Sequence, residues 1–284
     1  MKIFQQIPPP ERQAKLPINQ YALWYTWSQD FLAVCRAWTN EARLLREPRF
    51  VHLQGGRPYD YTYSLDPSRA VDERVAQSLR PFIEDLYNLP DSKSIILFDS
   101  MLNESLGARG LRLLFTFIRD VLVSLSGDPM SALYAPLSGT QNEFPVHADL
   151  YVPQTLFNVF EDVPNDSSGA SLFLSVSEFK QLLPTVNSLP ESSRERIVKI
   201  LNDELKEDHY EEFYALLYLN AWSKELKERV KPKLLRVKLY SGQGYLINDR
   251  VWLHGRGRVK GGVSKKRLHR LIFNTRFKQP PPIG

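Results

Sequence analysis

The chain has 284 residues, of which 43% are hydrophobic and 24% charged, enough to bury a sizeable core and ordinary for a soluble globular protein. A single cysteine, Cys35, excludes an intrachain disulfide framework, and the sequence has no unbroken apolar run of roughly 18 residues that could span a bilayer. The net charge of +5 is spread along the chain with one denser patch over 256–270; it suits an anionic small substrate and lacks the basic stripe interleaved with aromatics that nucleic-acid binders carry.

The N-terminal stretch MKIFQQIPPPERQ has no apolar segment of the kind secretory signals need, so the expected location is the cytoplasm. Residues 1–18, with Pro8, Pro9, Pro10 and Pro17, read as an extended arm. From Tyr21 to about Glu47 the apolar residues Leu23, Trp24, Trp27, Phe31, Leu32, Val34, Cys35 and Trp38 recur at three- and four-residue steps. That spacing predicts a helix with a core-facing stripe, ended by Pro48. Residues 49–68 read as loop, and a second helical pattern runs from Asp72 to about 88 with Pro81 inside it. "SIILFDSM" at 94–101 reads as a strand, and "ARGLRLLFTFIRDVLVSLS" at 108–126 as an amphipathic helix closed by Gly127.

The character then changes. "SALYAPLS", "EFPVHADLYV", "TLFNVFEDV" and "ASLFLSV" are short strand-like runs separated by turn residues at Gly139, Pro153 and 164–169. Residues 176–230 return to helix, with a break at Ser188–Glu191, and "KLLRVKLYS", "GYLIND", "RVWLHGR" and "RLHRLIFNTRF" supply four more strand-like runs. The expectation is one domain over 1–284: a helical part at 1–128, then a closed or sandwiched β core over 129–278 interrupted by a helical insertion at 176–230.

The chemistry centres on His147 and Asp149. On a strand, residues two apart face the same way, roughly 6.5–7 Å apart, which lets an imidazole nitrogen and a carboxylate oxygen converge on one small cation. Two ligands make a weak site, and His-x-Asp alone fits equally a buried histidine near a turn with the aspartate capping a backbone amide. His254, at the end of the apolar run in "NDRVWLHGR", offers the third ligand. Two histidines and one carboxylate on one face of an octahedron hold non-haem Fe(II) and leave three positions open, for a bidentate co-substrate and for O2. Arg267 and Arg270 stand 13 and 16 residues beyond His254, and a planar guanidinium suits a carboxylate. Arg256 shares the face of His254, and Tyr151 that of Asp149; both are candidates for substrate contact. His269 falls on the face opposite Arg270, which points to a structural role.

With these residues in place, "HADLY" at 147–151, "SSGASLFLS" at 167–175, "LINDRVWLHGR" at 246–256 and "KKRLHRLIF" at 265–273 resemble the Fe(II)- and 2-oxoglutarate-dependent dioxygenases. The resemblance is to the taurine dioxygenase and clavaminate synthase-like branch, with some likeness to the carbon-starvation-induced glutarate hydroxylase group, and it covers roughly 130–278. It implies a mainly β fold with a helical annex, an α+β arrangement around a double-stranded β-helix (jelly-roll, cupin-like) core. It implies His147, Asp149 and His254 as iron ligands and Ser171 as a hydroxyl on the distal carboxylate of 2-oxoglutarate. An arginine on the last core strand would hold the same carboxylate. Several relatives carry two arginines four residues apart, but the residue four before Arg270 is Lys266. Strand alternation sets 266, 268 and 270 on one face and 267 and 269 on the other unless a bulge intervenes, so Arg270 is the first choice, Arg267 the second and Lys266 the third. Halogenating relatives lack the metal-binding carboxylate, so the presence of Asp149 favours hydroxylation of a small polar metabolite, with succinate and CO2 released. Desaturation and ring closure use the same ligands. The alternative is a jelly-roll protein that binds a metal and a ligand without turnover.

Overall fold

The computed structural model describes residues 2–33, 49–52, 61–64, 86, 94–103, 107–128, 131–139, 143–149, 155–163, 165–202, 209–260 and 266–273. Its strands are β1 (Phe4–Ile7), β2 (Ala22–Trp27), β3 (Arg49–His52), β4 (Tyr61–Ser64), β5 (Ile95–Phe98), β6 (Ala132–Gly139), β7 (Phe144–His147), β8 (Thr155–Asp162), β9 (Ser171–Ser175), β10 (Leu235–Val237), β11 (Gly244–Asn248), β12 (Trp252–Arg256) and β13 (Lys266–Phe273). The α-helices whose bounds lie among the described residues are α1 (Gly107–Ser126), α2 (Val176–Leu182), α3 (Glu191–Leu201), α4 (Tyr210–Tyr218) and α5 (Ser223–Val230).

The strands form a seven-stranded sheet in the order β1-β2-β5-β11-β8-β13-β6, a four-stranded sheet in the order β10-β9-β12-β7, and a β3-β4 pair. Alternation along each strand sorts the side chains into three apolar layers. On the large sheet, Ile96, Phe98, Phe157, Val159, Leu246, Leu271 and Phe273 turn towards α1 and pack with its Leu111, Leu114, Phe115 and Ile118. The other face of that sheet presents Leu97, Leu156, Phe160, Tyr245, Ile247 and Ile272, which meet Phe173, Val237 and Trp252 of the small sheet. The small sheet turns Val146, Leu172, Leu174 and Leu253 outward against the helices of the insertion, including Phe179, Ile197, Phe213, Leu217 and Leu226. The result is helix, large sheet, small sheet and helical annex in succession, an α+β arrangement.

Among the described residues, the strand-like runs expected over 130–175 and 232–278 each contain a strand, the helix expected at 108–126 is α1, and the helical insertion is interrupted between Thr185 and Glu191, around the expected break at Ser188–Glu191. The N-terminal part differs. Ala22–Trp27, expected as the start of a helix, is a strand paired parallel with β5, and helix begins only at residue 29. The reason is burial on both faces. Ala22 and Trp24 pack between the sheets while Leu23, Tyr25 and Trp27 pack towards α1, so the run shows no polar alternation and its aromatics satisfy a helical spacing equally well. The arm at 1–18 contributes β1, and the expected loop at 49–68 contains the β3-β4 pair. The part expected to be helical therefore supplies β1, β2 and β5 to the large sheet. The helical expectations over 34–47 and 72–85 lie outside the described residues.

At Gly244 β11 and β8 leave no room for a side chain. A Cβ at this position would sit 2.1 Å from the Asn158 carbonyl oxygen, a backbone atom that cannot rotate away. Gly244→Ala is expected to cost about 1–3 kcal/mol of stability, read as a lower urea midpoint with an unchanged denaturant slope.

Candidate metal centre

His147 closes β7, and its register partner on the neighbouring antiparallel strand is His254 of β12. Directly opposed residues face the same side of a sheet, so both imidazoles enter the space between the sheets, with ring centroids 4.5 Å apart. Asp149 lies just past the end of β7 and turns back to them. One ligand atom from each of His147, Asp149 and His254 lies within 4.8 Å of the others, and all three residues are buried.

The hydrogen-bonding pattern sets imidazole nitrogens against a buried carboxylate. His147 Nδ1 is 2.9 Å from the Pro145 carbonyl oxygen, which can only accept, so Nδ1 carries the proton and donates. In the neutral ring Nε2 is then a lone pair, yet it faces Asp149 Oδ1 at 3.2 Å. His254 repeats the arrangement: Nδ1 lies 3.5 Å from Asp249 Oδ1 and Nε2 lies 3.7 Å from Asp149 Oδ2. His254 Nε2 is buried without a hydrogen-bond partner, and Nδ1 has the Asp249 carboxylate beside it. Lone pairs facing a carboxylate are repulsive unless protons or a metal ion stand between them, and two imidazole nitrogens with one carboxylate oxygen are a donor set that suits Fe(II). Asp249, 2% exposed behind His254, is placed as carboxylates commonly are behind metal-binding histidines, setting ring orientation and tautomer.

The charge balance tells the same story. Burial pushes the Asp149 carboxyl up, but the Arg270 guanidinium and then the two imidazoles overcome this and hold it well below the usual carboxylate range. Burial pushes the His254 imidazole down, His147 adds to that, and Asp149 and Asp249 oppose it. Arg270 Nη1 donates to Asp149 Oδ2 at 2.8 Å, and Arg270 Nε donates to Asn158 Oδ1 at 3.0 Å.

Of the other residues singled out in the sequence, Ser171 is buried on β9 directly across from Arg256 of β12, so the two share the inner face with His254. Desolvation lowers the Arg256 guanidinium pKa, and Tyr245 opposes that. Lys266 and Arg267 pair through their backbone with Gly139 and Ser138, and the register on the β8 side shifts between Arg267 and Leu268. The bulge that could re-aim Arg267 is therefore present, while the side chains of Lys266 and Arg267, like Tyr151 as a whole, lie outside the described residues. His269 does face away from the centre. The Tyr134 hydroxyl donates to its Nδ1 at 2.7 Å and its Nε2 donates to Glu161 at 2.8 Å, in a network buried against Phe115 of α1.

Three residues at the centre carried no sequence signal strong enough to single them out. Asn158 is one amide inside an apolar strand. Tyr245 is buried beside Asp149 and Arg270, with its hydroxyl pushed up to about 12 by burial. Phe144 packs edge-on against the His147 ring at 4.4 Å and in turn stacks on Tyr214 of α4 at 5.9 Å. That contact brings the helical insertion to the centre, and Tyr218 of the same helix donates to the Val146 carbonyl oxygen on β7. Phe213 and Leu217, by contrast, are buried in the apolar cluster of the annex.

No protein-family model matches the chain, and no curated protein matches it. Among solved structures it is similar to non-heme iron oxygenases. The oxygenase OrfP in complex with Fe overlaps with a TM-score of 0.45 at 12% identity, over 89% of this chain and 93% of that one. Asparagine oxygenase gives 0.45 at 13% identity over 90% and 93%, and PvcB from Pseudomonas aeruginosa gives 0.40 at 13% over 95% and 91%. OrfP has also been crystallised with Fe and alpha-ketoglutaric acid.

The spacing of the two histidines depends on Gly255. A Cβ there would lie 2.7 Å from the Phe144 carbonyl oxygen and 2.9 Å from Pro145 backbone carbon, forcing β7 away from β12. Gly255→Ala is expected to weaken Fe(II) or Mn(II) binding by roughly 10- to 100-fold, measured by metal titration, while the helical signal in circular dichroism is retained.

Proposed function

We propose that the chain is an Fe(II)- and 2-oxoglutarate-dependent oxygenase that hydroxylates an unactivated C–H bond of a small polar or anionic metabolite. The observation that carries this reading is the buried convergence of His147, Asp149 and His254, with His254 Nε2 unsatisfied and His147 Nε2 facing a carboxylate oxygen. These three residues hold the metal. When bound, the iron with 2-oxoglutarate and O2 supplies the oxidising chemistry, in which the oxo-acid becomes succinate and CO2 and the substrate gains a hydroxyl group.

The chain's own residues orient and exclude. Pro145 and Asp249 set the imidazole tautomers so that both Nε2 lone pairs point inward. Arg270 is the cation nearest the metal-binding carboxylate and the residue proposed to hold 2-oxoglutarate, with Arg267 and Lys266 as the other cations of β13. Ser171, beside Arg256 on the inner face, offers a hydroxyl to the same co-substrate. Arg256 and Tyr151 are proposed to meet the substrate, which suits an anionic group. The apolar walls from both sheets keep bulk water from the centre, and Phe144 with Tyr214 closes it on the annex side. The core that delivers this geometry is proposed to be a double-stranded β-helix, with residues 1–284 acting as one cytoplasmic domain free of nucleic-acid or membrane partners. Among the described residues no helix is long and apolar enough to cross a membrane.

Anaerobic addition of Fe(II) and 2-oxoglutarate is expected to give a weak visible charge-transfer band, lost in His147→Ala. Failure of the wild-type protein to give the band sinks the proposal. Asp149→Ala is expected to abolish succinate formation. Arg270→Ala should raise the 2-oxoglutarate requirement by an amount on the order of 2–4 kcal/mol, the cost of an unpaired buried carboxylate. Oxo-acid and metal binding without substrate-stimulated succinate release identifies a ligand-binding protein instead.

A further inference from the structure

One fully buried polar group near the centre is not accounted for by holding the metal. Asn158 lies mid-strand in β8, flanked by Leu156, Phe157, Val159 and Phe160. Its register partners are Tyr245 on β11 and Arg270 on β13, so the three form a row across adjacent strands. Arg270 in that row reaches Asp149, which places the row against the metal centre.

The orientation of the Asn158 amide follows from its neighbour. Arg270 Nε lies 3.0 Å from Oδ1, and a guanidinium N–H can only donate, so the flipped amide would set donor against donor. Oδ1 therefore faces Arg270 and Nδ2 turns elsewhere, where it is buried with no hydrogen-bond partner. An interior position on an apolar strand gains nothing from an amide left half-satisfied. The missing partner must be an acceptor, and the adjacent strand, roughly 4.8 Å away, presents the guanidinium. A planar group with two acceptor oxygens and a negative charge meets both.

We propose that Asn158 is a ligand-binding residue of the centre: its Nδ2–H group donates to a carboxylate oxygen of the 2-oxo acid whose charge Arg270 neutralises. This rests on the oxygenase reading above. Asn158 thus has two hydrogen-bonding duties at once, its oxygen aiming the guanidinium and its nitrogen contacting the co-substrate.

The test is calorimetric titration of the Mn(II)-loaded full-length protein with 2-oxoglutarate, alongside a Mn(II) titration followed by electron paramagnetic resonance. Asn158→Asp keeps an acceptor for Arg270 Nε and replaces the Nδ2 donor with an oxygen; Asn158→Ala removes both. The expected result is 2-oxoglutarate binding weakened roughly tenfold in Asn158→Ala and roughly 100-fold or more in Asn158→Asp, with Mn(II) affinity not reduced in either. Wild-type 2-oxoglutarate affinity in Asn158→Asp shows that the amide only holds Arg270, and overturns the proposal. A loss of Mn(II) affinity as steep as the loss of 2-oxoglutarate affinity shows that the residue acts through Asp149, and overturns it too. Should Asn158→Asp not accumulate as folded protein, Asn158→Ala decides, and wild-type affinity there is equally fatal. A wild-type protein that takes up Mn(II) but no 2-oxoglutarate refutes the oxygenase reading itself, so the two failures are told apart.

Discussion

The centre is organised around one buried negative charge. Asp149 sits between two sheets, where an unpaired carboxylate would be far too costly to keep ionised. Arg270 reaches it from one sheet and the two imidazoles from the other. The surrounding groups hold the carboxyl in its charged form, and that charge, beside two imidazoles, suits the small cation proposed for the site. A hydrophobic replacement would satisfy the core just as well, so the cluster is better explained by binding than by stability.

That charge can be gathered only because the sheets have fixed registers. His147 and His254 meet because β7 and β12 pair antiparallel with these residues opposite each other, while Asp149 is free to turn inward because β7 ends before it. Arg270 arrives from β13, on the far sheet, through a row shared with Asn158 and Tyr245. The two sheets therefore divide the work. The small one presents the histidines, with Ser171 and Arg256 on the same face, and the large one presents the cation and the hydrogen-bonding row.

Much of this was legible in the sequence because it depends on short-range periodicity. His147 and Asp149 two apart, His254 ending an apolar run, and the opposite facing of His269 and Arg270 all follow from alternation along a strand, and the geometry bears out the convergence and the facing. What was not legible depends on pairing between distant segments. Asn158 and Asp249 gain meaning only from the strands or turns beside them. The sequence suggests helix at Ala22–Trp27 because a strand buried on both faces has no polar side to reveal its period. The sequence hides the β3-β4 pair because glycines and a proline in 49–68 outweigh two strands of only four residues each.

Strand β13 carries two unlike jobs on successive residues. Arg270 serves the space between the sheets, and its neighbour His269 is locked on the back by Tyr134 and Glu161 under α1. A slip of β13 by a single residue would drive the guanidinium into the aromatic packing of α1 and offer an imidazole to Asp149 in its place. The back-side trio thus works as a keyed latch: by penalising a one-residue slip of the strand, it determines which side chain reaches the front.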